Sequence, residues 1–144
     1  MIQRIQTIYL LLASILSGGL IFVVELWENL KSQEIFAFDL LTREDITLKV
    51  IPILYILSAI VSFWTIFLFK KRQLQFVLGR LVLLINLILL GILIYVSQTL
   101  SGEAQVSVKD IGMFIPVVVI LLIVLANKAI KKDENLVKSA DRLR

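Results

Sequence analysis

The chain has 144 residues, of which 59% are hydrophobic and only 18% charged, with a mean hydropathy of +0.95 and a formal net charge of +4. A soluble domain is closer to half apolar and a quarter charged, and here the surplus is gathered into long runs, so the composition excludes a water-soluble globular protein. There is no cysteine and no histidine, which excludes disulfides, thiolate or imidazole metal ligation, bis-histidine haem, and Cys or His nucleophiles.

Four apolar runs, at residues 5–27, 50–69, 76–96 and 111–127, predict four membrane helices, because roughly 20 helical residues cross the ~30 Å hydrocarbon core of a bilayer. The first run follows Arg4 and outlasts the apolar core of a signal peptide, so it reads as a first membrane helix doubling as a signal anchor. Ser14, Gly18, Ile21 and Glu25 share one of its faces. Ser14 and Gly18 form a small-xxx-small pair that permits close backbone approach. Glu25 is expected at the outer boundary, with Trp27 in the interface just beyond it. The loop at 28–49 alternates around Phe36 and Phe38 and then turns polar at Thr42-Arg43-Glu44-Asp45. That pattern predicts an extended segment and a short hairpin on the outer face of the helices. Its carboxylates, Glu34, Asp39, Glu44 and Asp45, match no catalytic spacing and read as a solvated loop.

The second helix places Pro52 in its first turn, where a missing N–H costs little. Ser58, Ser62 and Thr65 recur at i, i+4 and i+7, with Ala59 beside them. Lys70-Lys71-Arg72 stops this helix, and the short connection at 73–75 predicts that helices two and three pack as an antiparallel pair. Asn86 lies in the middle of the third helix, where an unpaired amide is costly, so it is expected to face the Ser58, Ser62 and Thr65 stripe as interhelical glue. Arg80 is placed to snorkel to the inner interface. The fourth helix has Pro116 near its outer end. In the tail, residues 128–144, Ile130, Leu136, Val137, Ala140 and Leu143 share a stripe at 100° per residue, opposite Lys131, Glu134, Asn135, Lys138 and Arg142. Glu134 and Lys138 form an i,i+4 pair that favours helix. Lys131, Lys132, Lys138, Arg142 and Arg144 are the candidates for docking on anionic headgroups or on a partner.

Basic residues between the runs set the orientation. Arg4, the Lys70, Lys71, Arg72 and Arg80 group, and the tail's Lys128, Lys131, Lys132, Lys138, Arg142 and Arg144 make 11 of the 15 basic residues. Lys31, Arg43, Lys49 and Lys109 lie on the other side. With four crossings, both termini are therefore expected in the cytoplasm.

The two ends of the chain, Met1-Ile-Gln-Arg-Ile-Gln-Thr-Ile-Tyr-Leu-Leu-Leu-Ala13 and Ala129-Ile-Lys-Lys-Asp-Glu-Asn-Leu-Val-Lys-Ser-Ala-Asp-Arg-Leu-Arg144, resemble the termini of a small inner-membrane family found in Bacteroidota, domain of unknown function 4293. The length and the four-helix layout are similar as well. The resemblance implies a bacterial inner-membrane protein with four helices, and it brings no activity, ligand or catalytic residue.

These readings together predict one domain over 1–144: an all-α membrane protein with four transmembrane helices in an antiparallel bundle and a C-terminal basic amphipathic helical tail. No constellation for catalysis is visible, and no cofactor or metal is expected. The expected role is that of a non-catalytic accessory subunit of a larger inner-membrane assembly, its partners being lipid, other membrane subunits, and anionic headgroups at the tail. The alternative is a small transporter or channel component acting as an oligomer. No nucleic-acid role is expected, because acids alternate with bases in the tail and no aromatic is available there for stacking.

Overall fold

The computed structural model describes residues 3–23, 25–28, 34–42, 44–100 and 111–144. Four α-helices dominate it: α1 (Gln3–Gly19), α2 (Ile46–Phe67), α3 (Arg72–Leu100) and α4 (Ile115–Arg142). A 3-10 turn, Leu20–Phe22, continues α1 and leads to a two-stranded antiparallel pair, β1 (Glu25–Glu28) and β2 (Glu34–Phe36). Glu25 pairs with Phe36, Trp27 with Ile35 and Glu28 with Glu34, and an irregularity between Glu25 and Trp27 shifts the register. Further 3-10 segments, Ala37–Thr42 and Ile111–Phe114, precede α2 and α4.

Each helix packs on two others: α1 against α2 and α4, and α3 against α2 and α4. The buried positions recur every three or four residues, as one face of a helix requires. On α2 they are Ile51, Tyr55, Ser58, Ser62 and Thr65; on α3, Gln75, Gly79, Val82, Asn86, Leu89, Leu93 and Val96; on α4, Ile115, Val119, Ile123, Ala126, Ile130 and Asp133. The outward faces are equally apolar. Ile60, Trp64, Leu84 and Leu121 are each more than half exposed, a surface suited to lipid rather than water. Three helices, α2, α3 and α4, are each long and apolar enough to cross a membrane.

Several boundaries differ from the sequence reading. The first helix does not run to residue 27: α1 ends at Gly19, and Glu25 and Trp27 stand in β1. Glycine costs about 1 kcal/mol per residue relative to alanine inside a helix, and Gly18-Gly19 is followed by β-branched Ile21, Val23 and Val24. The extended segment in the outer loop stops at Phe36, and Phe38 sits in a 3-10 turn with its ring 5.3 Å from that of Phe22. Helix α2 begins at Ile46, so Pro52 lies inside the helix rather than in its first turn. Helix α3 exceeds the predicted 76–96 at both ends, and Arg72 opens it instead of stopping α2. Helix α4 starts later than 111, with Pro116 in its first two positions where proline is favoured. It then continues without a break through the segment read as a separate tail. The positions of Lys31, Arg43 and Lys109 lie outside the described residues.

Candidate functional site

The inward faces of the four helices divide into two halves of different chemistry. In the half far from the α2–α3 turn, they carry Ile21, Ile51, Leu89, Leu93, Val96 and Ile115. Tyr55 closes this half by donating its hydroxyl to the Gly112 carbonyl at 3.0 Å. In the half next to the turn, the same faces carry Gln6, Ser17, Ser58, Ser62, Thr65, Gln75, Asn86 and Asp133, all buried and interleaved with the fully buried apolar Leu10, Ala13, Val82, Ile123, Ala126 and Ile130.

Contacts between the helices fix the levels of these groups. At the end of α3 nearest the turn, Arg72 Nη2 lies 3.5 Å from Asp133 Oδ2 on α4. Seven residues further on, Gly79 leaves the space that the Asn127 carboxamide occupies. Seven further again, Asn86 donates through Nδ2 to Ser58 Oγ at 2.7 Å and to the Val82 carbonyl at 2.8 Å. The three levels span about 21 Å of helix at 1.5 Å per residue. On α2, Ser62 lies between Ser58 and Thr65, and Thr65 donates to its own helix at the Val61 carbonyl, 2.6 Å away. On α1, Ser14 Oγ reaches across to the Ala59 carbonyl at 3.1 Å, while Ser17 bonds back to the Ala13 carbonyl at 2.7 Å. Gly18 allows this approach, because a methyl group there would stand 3.0 Å from Ala59 Cβ.

Not every polar atom in the column is satisfied. Among the described residues, Gln6 Nε2, Ser62 Oγ, Asn86 Oδ1, Asn127 Oδ1 and Asp133 Oδ2 are buried without a hydrogen-bond partner. The Arg72–Asp133 contact is thus an ion pair at 3.5 Å rather than a hydrogen bond. For Asn86 the orientation follows from chemistry: a backbone carbonyl only accepts, so Nδ2 must face Val82 and Oδ1 must face away from it. The column offers neutral donors and acceptors together with one compensated charge pair.

Of the residues singled out from the sequence, Ser14 and Gly18 sit against Ala59, Ser58 meets Asn86, Ser62 is buried with its hydroxyl unpaired, and Thr65 is turned onto its own backbone. Arg80 lies with its guanidinium carbon 4.5 Å above the centre of the Phe76 ring. Glu25 is in β1, and its side chain lies outside the described residues. Sequence reasoning missed Gln6, Gln75, Gly79, Asn127 and Asp133. The signal was present for α3, where Gln75, Gly79, Val82 and Asn86 follow the spacing of one helical face.

A second polar surface lies at the end of α4. Every residue from Asn135 to Arg144 is exposed, including the docking candidates Lys138, Arg142 and Arg144, and Lys131 and Lys132 are exposed one turn earlier. Lys138 donates to Glu134 at 2.8 Å. In this charged part of α4, beyond its apolar stretch, the hydrogen bond and charge of Lys138 hold the Glu134 carboxyl below its ordinary range. Lys128, Lys131, Lys132, Asn135, Leu136 and Ser139 line a shallow open groove of about 390 Å³ along one side of the helix.

No curated protein and no solved structure matches this chain. The model of one family, described as Domain of unknown function (DUF4293), matches residues 2–143. Since that match spans nearly the whole sequence, the chain belongs to the DUF4293 family.

Proposed function

We propose that the protein is a non-catalytic accessory subunit of a larger assembly in the bacterial cytoplasmic membrane. In this reading it is an antiparallel bundle of four transmembrane helices with both termini in the cytoplasm. The observation that carries the proposal is the end of α4. It stands clear of the other helices and presents Leu136, Val137 and Leu143 to solvent, with Lys131, Lys138 and Arg142 on the opposite side. Apolar area left in water forfeits about 25 cal/mol per Å², so this stripe gains by lying on a membrane surface or a protein. The basic residues favour an anionic surface by about 1 kcal/mol each when close to it. As for the fourth crossing, the apolar part of α1, Ile5–Gly19, rises about 22 Å and the 3-10 turn about 6 Å more, close to the ~30 Å hydrocarbon thickness. Contacts between β1, which follows α1, and the 3-10 segment before α4 support the antiparallel arrangement.

Photo-crosslinkers at Leu136 and Val137, used in native membranes, test the proposal. A discrete protein adduct, lost when the other stripe residue is changed to glutamate, is the expected result. Adducts to lipid alone reject the accessory role. The second reading, a small transporter or channel component acting as an oligomer, draws on the unpaired buried polar atoms. It fails if liposomes containing wild type or Asn86→Leu show the same flux as empty vesicles.

A further inference from the structure

We infer that the polar half of the helix interior is an aqueous inlet: a file of water entering beside Gln6, Gln75 and the Arg72–Asp133 pair and ending at Asn86. The occupant follows from the unpaired atoms. Gln6 Nε2 can only donate, Asn86 Oδ1 and Asn127 Oδ1 can only accept, and Ser62 Oγ does both. A ligand that satisfies all of them must be able both to donate and to accept, and water does so with two to four partners per molecule. A cation suits only the acceptors and meets the Arg72 guanidinium at the entrance. An anion finds too few donors.

The energetics point the same way. Gln6, Ser62 and Asn86 are nearly or completely buried, and the surrounding phase in this reading is lipid, so none can turn to bulk solvent. A buried polar group without a partner costs about 1–3 kcal/mol. At about one buried water per 27 residues, a chain of this length holds about five, enough for one at each unpaired atom. The file stops where the lining changes, at the Leu89, Leu93 and Ile115 level, which offers no polar partner on the described inward faces beyond the Tyr55–Gly112 bond. The inlet is therefore sealed at its inner end, and its mouth lies at Gln6 and Gln75, which are 4% and 2% exposed. The accessory role proposed above does not depend on it.

The test uses the wild-type chain in lipid nanodiscs and reads magnetisation transfer from water to the side-chain amides of Gln6, Gln75, Asn86 and Asn127, followed by exchange in D₂O. The expected result is water contact at the Gln6 and Asn86 amides, with exchange at least about tenfold faster than at the backbone amides of Leu89 and Leu93. Side-chain amides as protected as those backbone amides mean a dry column and overturn the inference. Equal, fast exchange at all positions means that the helices separate as a whole and overturns it too. A sodium-dependent shift of the Asn86 amide replaces water with a monovalent cation as occupant and likewise rejects the assignment.

Discussion

Replacing Gly79 by alanine adds one methyl group where α3 touches α4. In that position the methyl would stand 3.0 Å from Asn127 Cγ and 3.1 Å from Nδ2, with Oδ1 closer still. Two effects oppose each other. Alanine is favoured over glycine in a helix by up to about 1 kcal/mol, while forcing an extra methyl into a packed contact costs about 1–3 kcal/mol. The net expectation is destabilisation of up to about 2 kcal/mol, arising wholly from the Asn127 carboxamide. In an Asn127→Ala background the obstruction is gone, only the propensity term is left, and Gly79→Ala should stabilise by up to about 1 kcal/mol. Asn127→Ala itself should cost little, because no described group of the chain bonds the Oδ1 that it removes. Reversible unfolding in mixed micelles, followed by circular dichroism, measures all four corners of the cycle. If Gly79→Ala has the same sign and size in both backgrounds, Asn127 does not occupy the space above Gly79 and the reasoning fails.

Other glycines behave differently. Gly91 has nothing within 4 Å of an added Cβ, so Gly91→Ala should stabilise by about 0.5–1 kcal/mol in the same assay. Gly18→Ala should instead destabilise by about 1–2 kcal/mol, because its methyl meets Ala59 Cβ at 3.0 Å. The Asn86–Ser58 bond should show a coupling of about 1 kcal/mol in a cycle of Asn86→Leu with Ser58→Ala; a value near zero would mean that the 2.7 Å contact is not what joins α2 to α3. Breaking the partly buried Arg72–Asp133 pair with Asp133→Asn should cost about 1–2 kcal/mol, and the loss should shrink in high salt.

The sequence by itself determined the apolar segments and therefore the solvent, since runs near 20 residues have few other uses. It also placed Ser58, Ser62 and Thr65 on one stripe and Asn86 mid-helix, the residues that the structure finds buried, with Asn86 bonded to Ser58. Only the tertiary structure decided where α1 stops, that Glu25 and Trp27 enter a strand, and that α4 runs unbroken to Arg142. It alone brought Gly79 to Asn127 and Arg72 to Asp133. The reason is physical. In a chain built for lipid the inward and outward faces are both apolar, so hydropathy marks the helices without saying which face meets a neighbour. Polar residues do mark inward faces, but the partner of each depends on the relative height of two helices, which is set by turns and glycine contacts that periodicity along one helix does not encode.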